Sequence, residues 1–217
     1  MKSKQRVADH GEVFTAEREV KAMLDLVKQE TDRIDSKFLE PACGTGNFLT
    51  EILIRKLSIV EKKYKRNQLD FERYSVIAIS SMYGIDILED NIAECRERLF
   101  DIFNKKYIKV YKKKSKDSVR NSIKFILDKN IILGDALSLK TVGTNPTPIT
   151  FSEWSIVTGN TIKRRDYYFE TLTNDMEKDD LFSLSENLKS DTGMAVFIPH
   201  PVKSYPATHF LRITDAW

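Results

Sequence analysis

Residues Phe38-Leu39-Glu40-Pro41-Ala42-Cys43-Gly44-Thr45-Gly46-Asn47-Phe48-Leu49 place an acid at the end of a short apolar run, then a glycine-rich turn, then a helix start. Gly44 and Gly46 let the backbone approach a ligand closely, and Glu40 can accept hydrogen bonds from it. The spelling excludes two common phosphate motifs. A dinucleotide fingerprint wants a third glycine where Leu49 stands, and a phosphate loop wants Gly-Lys-Ser/Thr where Asn47-Phe48 follow the glycine. A strand-end carboxylate repels a diphosphate and favours a ligand carrying positive charge and hydroxyls. Asp86, after the apolar run ending in Ile85, is placed to take both hydroxyls of a ribose. S-adenosylmethionine offers a sulfonium, an ammonium and a ribose.

Gly11-Glu12-Val13-Phe14-Thr15, the stretch Phe38 to Leu49, and Tyr83-Gly84-Ile85-Asp86-Ile87 together resemble the cofactor motifs of the S-adenosylmethionine-dependent N6-adenine DNA methyltransferases of restriction–modification systems. A fourth segment, Ile131-Ile132-Leu133-Gly134-Asp135-Ala136-Leu137, resembles the strand whose aspartate meets the cofactor adenine. The resemblance spans roughly residues 9 to 140 in motif order. It implies a Rossmann-like class I methyltransferase fold and a cofactor set of Phe14, Thr15, Glu40, Ala42, Gly44, Gly46, Asp86, Ile87, Asp135 and Ala136. It also implies DNA as substrate, and a specificity or restriction subunit as partner, because no target-recognition domain is expected within the chain.

The family's Asn/Asp-Pro-Pro-Tyr/Phe motif is absent. Trp154-Ser155-Ile156-Val157-Thr158-Gly159-Asn160-Thr161-Ile162-Lys163 stands where it is expected, so the resemblance carries the catalytic asparagine onto Asn160 alone. Adenine N6 needs two acceptors for its N–H groups and a ring to clamp the flipped base. Asn160 and the Thr161 carbonyl are the expected acceptors, with Tyr167 or Tyr168 as substitute rings. Two alternatives stay open: a catalytically silent subunit that binds cofactor or DNA, and a methyltransferase with a non-DNA acceptor.

The elements that must position these groups follow from apolar periodicity. A helix is expected from Glu17 to about Glu30, capped by Thr15, and others from Phe48 through Val60 and from near Asp90, where Ile92, Cys95, Leu99 and Phe103 form a stripe. Strands are expected near Lys37–Glu40, Met82–Ile87, Asn130–Leu133, Trp154–Val157 and Met194–Ile198. Gly143 to Thr150 reads as a loop and Asp175 to Lys189 as a further helix. Such alternation predicts an α/β fold, a mostly parallel sheet with helices on both faces. The C-terminal strands are expected to be incomplete. At 217 residues with 41% hydrophobic and 31% charged, the chain suits one domain, with N-terminal cofactor motif 1–36, cofactor core 37–140 and divergent acceptor side 141–217.

No stretch suits a membrane span or signal peptide, and two cysteines suggest neither a disulfide framework nor zinc, so a cytoplasmic protein is expected. His10, His200 and His209 are scattered and propose no metal. The net charge of +3 conceals a basic stretch over residues 104 to 130, with Tyr107 and Tyr111 interleaved. Such a stretch either contacts phosphates or is a solvated face.

Overall fold

The computed structural model describes residues 15–173 and 200–215. Phe14, His10, and the expected helix 175–189 and strand 194–198 lie outside the described residues. The first helix, α1 (Glu17–Leu26), stops short of Glu30. The backbone leaves helical geometry at Val27, and one turn, α2 (Lys28–Thr31), follows. Val20 and Leu24 are buried whereas Leu26 is 86% exposed, so the apolar stripe has nothing to bury beyond Leu24. Thr15 does not cap α1. Ala16 holds that position, and its N–H donates to the Glu19 carboxylate at 3.4 Å.

Strand β1 (Phe38–Glu40) runs through the glycine turn into α3 (Asn47–Tyr64), whose Leu49, Leu53, Leu57 and Val60 are fully buried. Helix α4 (Gln68–Ser80) is capped by the Asn67 side chain, which accepts from the Leu69 and Asp70 N–H groups, and feeds β2 (Met82–Asp86). Helix α5 (Glu89–Tyr111) buries Ile92, Cys95, Leu99 and Phe103, the stripe its spacing predicts. A 3-10 turn (Lys112–Lys114), α6 (Asp117–Asn130) and β3 (Ile131–Asp135) follow. β1, β2 and β3 pair in parallel, and a short β4 (Lys140–Thr141) joins β3 antiparallel. Glu40 lies opposite Gly84 and Asp86 opposite Leu133, so the carboxyl ends of the strands bring Glu40, Asp86 and Asp135 to one edge.

Lys56, fully buried on α3, braces the opposite end. Its Nζ donates to the Ile34 carbonyl (3.2 Å), the Ser36 carbonyl and the Ser81 hydroxyl, joining the segments that enter β1 and β2. Without it the Ser36 carbonyl would be orphaned and the Ile34 carbonyl would keep only the Ser81 hydroxyl at 3.4 Å.

The chain after β4 departs from expectation. Trp154–Val157 does not extend the parallel sheet. It belongs to β5 (Thr150–Thr158), which pairs antiparallel with β6 (Thr161–Tyr168) in a separate sheet completed by β7 (Lys203–Ser204) and β8 (Thr208–His209). The cause is the two-residue connection Gly159-Asn160, with Gly159 at φ 53°, a conformation open to glycine that turns the strand back on itself. Among the described residues, the second face of the parallel sheet is covered by the chain after β4, with only a short helix on it. Met82 and Ile131 face the core shared with α3 to α6, whereas Tyr83 and Ile85 are covered by Ile149, Phe151 and Phe169, the last opening the short α7 (Phe169–Thr173). A 3-10 segment (Phe210–Asp215) buries Phe210 and Ile213 against the first core. Among the described residues no helix is long and apolar enough to cross a membrane.

Candidate functional site

A cavity of about 590 Å³ opens at the carboxyl ends of β1, β2 and β3. Thr15, Glu40, Ala42, Gly44, Asp86, Ile87, Asp135 and Ala136 all line it, together with Phe48, Asn91 and Leu137. Gly46 does not. It takes φ +86° at the start of α3, and a Cβ there would lie 2.6 Å from Cys95 Sγ, so its place is against α5 rather than towards a ligand. Gly44, at φ 51°, presents its backbone to the cavity.

The three carboxylates are held differently. Asp86 Oδ2 accepts from the Gly44 N–H at 2.9 Å, while Oδ1 accepts from the Leu88 N–H at 2.9 Å and Asn91 Nδ2 at 3.2 Å. This ties the glycine turn to β2 and leaves part of the acceptor capacity of a carboxylate, about four lone-pair sites. Asp135 accepts from the Leu137 N–H at 2.9 Å. Ser138 foremost, with that N–H, holds its carboxyl below the usual range. Partial burial pushes the Glu40 carboxyl up, offset in part by the Ala42 N–H at 3.4 Å. The Cys43 thiol is pushed far up by its hydrogen bond with Cys95 and by burial, which removes thiolate chemistry from the turn.

Sequence reasoning overlooked the face of α5 that holds the turn. Asn91, Cys95 and Arg98 recur at i, i+4 and i+7 and so share one side of the helix. Asn91 meets Asp86 and Cys95 meets Gly46. Arg98 donates to the Thr45 carbonyl at 2.6 Å, the Thr45 hydroxyl at 2.9 Å and Asn47 Oδ1 at 3.0 Å. Asn47 in turn donates to the Thr15 carbonyl at 3.3 Å. A polar residue recurring beside the Ile92 and Leu99 stripe was the available signal.

The structure does not bring Asn160 to this cavity. It sits at the β5–β6 tip, where Oδ1 accepts from Arg73 on α4 at 3.2 Å, its carbonyl accepts from the Phe210 N–H at 3.0 Å, and Arg73 also holds the Gly159 carbonyl at 2.9 Å. The neighbouring Ile156 shares a groove with Ile34, Tyr74 and Ile77, by the amino ends of the parallel strands. Tyr167 lines a different cleft beside β1 and bonds to Glu153 at 3.3 Å, and Tyr168 is not part of the cavity wall. Arg164, on β6, is 8% exposed and forms a bidentate pair with Asp166 at 2.8 Å.

Parallel strands with a polar cavity across their carboxyl ends mark an α/β domain whose cavity lies where such sheets bind ligands. The family model described as MmeI, DNA-methyltransferase domain, matches residues 14–198. The chain belongs to this family, a family of restriction–modification DNA methyltransferases. No curated protein and no solved structure matches it.

Proposed function

We propose that the cavity binds S-adenosylmethionine and that the chain serves methyl transfer to the N6 amine of adenine in DNA. The observation that carries the cofactor reading is the cavity's charge: Glu40, Asp86 and Asp135 line it, and among its described lining residues none is basic. Such a wall repels polyphosphates and suits an ammonium, a sulfonium and ribose hydroxyls. Asp86 is the ribose acceptor, with the ligand competing for the oxygen that Gly44 now holds. Glu40 faces the charged amino-acid end, and Asp135 accepts from the adenine amine between the apolar Ile87 and Ala136. Thr15 completes the wall. The cofactor supplies an electrophilic methyl group. The chain's part is to fix the donor and exclude phosphate-bearing competitors. Target recognition comes from a partner subunit or domain, in the reducing interior that the free Cys43 and Cys95 suit.

The position of Asn160 favours a second reading, a cofactor-holding subunit that does not itself transfer the methyl group. Calorimetric titration with S-adenosylmethionine, followed by labelled-methyl transfer to mixed-sequence DNA, separates the two. Binding with transfer supports the enzyme, and binding without transfer supports the silent subunit. If the wild-type chain does not bind, or if Asp86→Ala binds as tightly as wild type, the cofactor site is misassigned.

A further inference from the structure

The basic stretch noted in the sequence is only half of a larger surface. Helices α3 and α5 both begin at the cavity, where Phe48 and Asn91 line it, and both run away from it for 18 and 23 residues. At a rise of about 1.5 Å per residue their far ends lie roughly 25–35 Å from the cavity. There the two ends are joined. Tyr111 donates to the Lys65 carbonyl at 3.0 Å, Gln68 to the Lys114 carbonyl at 2.8 Å, and Lys106 to the Glu61 carboxylate at 2.6 Å. Lys62, Lys65 and Arg66 are thereby set near Lys109, Lys112, Lys113 and Lys114, all exposed. Among the described residues none of these seven has an ion-pair partner, while the nearby acid Glu61 is engaged by Lys106. Lys112 breaks α5 at φ 50°, which turns the following lysines out as a separate 3-10 turn.

We propose that this end is a phosphate-contacting surface that holds duplex DNA remote from the acceptor base, on the order of 9 base pairs away at about 3.4 Å per phosphate along a strand. The inference rests on DNA as the family's substrate, not on adenine N6 chemistry. Nucleic acid fits this surface better than an acidic protein does. Protein interfaces are depleted in lysine and built on aromatic anchors. Here Tyr107 is fully buried and Tyr111 packs edge-on against Phe71, so the interleaved tyrosines belong to the core and offer neither a protein anchor nor a base-stacking platform. What remains is cationic charge on flexible stems, which suits sequence-independent contact to a backbone. The acidic cavity at the other end has the opposite sign, so phosphate groups are drawn to the far end and kept out of the cofactor's place, which only an uncharged base need approach.

The test uses the full chain, a mixed-sequence duplex of about 30 base pairs, and the variant Lys112→Ser/Lys113→Ser/Lys114→Ser, which changes only exposed side chains. Binding by fluorescence anisotropy across a salt series should weaken on the order of 10- to 100-fold at moderate salt. The slope of log affinity against log salt should flatten by about 0.9 for each phosphate that the variant no longer neutralises. In parallel, amine acylation read by mass spectrometry should show Lys62, Lys65 and Lys109 of the wild type protected by the duplex. An unchanged salt slope, or equal acylation with and without duplex, overturns the surface while leaving the substrate reading intact. A wild-type chain that binds no duplex at any salt overturns both.

Discussion

Lys56 gives the sharpest quantitative test of how the strands are held. Burial pushes its ammonium down from 10.5 to about 7, against smaller opposing effects of Asp35 and Glu30. In the unfolded chain the same group titrates near its ordinary value. Between those two pH values the unfolded state binds a proton that the folded state does not, so stability rises with pH across that window. It is flat below about 7, where both states are charged, and flat again above about 10.5. One pKa unit corresponds to about 1.4 kcal/mol, so the wild type should gain about 3 kcal/mol between about pH 7 and 9.5 relative to a variant lacking the amine. Urea unfolding of wild type and Lys56→Met over that range isolates the effect, because other titrating groups cancel in the difference. The variant also orphans the Ser36 carbonyl, at about 1–3 kcal/mol, and leaves the Ile34 carbonyl to the Ser81 hydroxyl, but that offset does not vary with pH. Parallel stability curves would refute the reasoning. They would mean that three acceptors hold the ammonium charged in the folded protein and outweigh its desolvation.

Three further outcomes bear on the site. Gly46→Ala should destabilise by about 2–5 kcal/mol, from the left-handed backbone and the overlap with Cys95 Sγ; adding Cys95→Ala should recover about 1–3 kcal/mol of it, and strict additivity in the cycle would show that the contact is not the cause. Because burial raises the Glu40 carboxyl, affinity for S-adenosylmethionine should fall as pH drops, starting above the ordinary carboxylate range, and Glu40→Gln should abolish that dependence in calorimetry; a wild-type profile flat to the ordinary range would remove Glu40 from the ligand. Asn160→Ala should leave cofactor affinity within about twofold and cost about 1 kcal/mol through the missing Arg73 bond; loss of methyl transfer at unchanged melting temperature would show that the tip reaches the acceptor after all.

The strand, turn and helix from Phe38 onward were legible because their chemistry is local: apolar run, acid, paired glycines, then helical spacing. Gly46 misled for the opposite reason. Its partner Cys95 lies 49 positions later, and nothing near Gly46 in sequence says whether its missing Cβ makes room for a ligand or for a helix. The hairpin was legible and passed over. Two β-rich runs separated by Gly-Asn are a hairpin signal, but aligning Gly159-Asn160 with a catalytic motif forced a strand-to-loop reading on residues whose own preferences give strand, turn, strand. The tyrosines of the basic stretch were ambiguous for want of the partner helix, since Glu72 and Phe71, which bury Tyr107, come from α4.

The two halves of the site are fixed by independent networks, and this bears on whether catalysis can use Asn160. On the cavity side Arg98, Asn47, Asn91 and the Gly44–Asp86 bond hold the turn. On the other side Arg164, Asp166, Ser152 and Tyr205 form a closed buried cluster, and Ile162 is buried two residues from the tip. Moving Asn160 to the cavity requires breaking the Arg73 bonds to Gly159 and Asn160 and the Phe210–Asn160 bond, and exposing Ile162. At about 1 kcal/mol per hydrogen bond and about 2 kcal/mol for the side chain, this comes to roughly 5 kcal/mol before any distortion of the cluster. A conformer that costly is populated at the order of one in several thousand. A transferase relying on it would be slowed by that factor unless DNA or a partner stabilises the rearranged tip. Methyl transfer at ordinary rates by the isolated chain would therefore place the acceptor groups on residues other than Asn160.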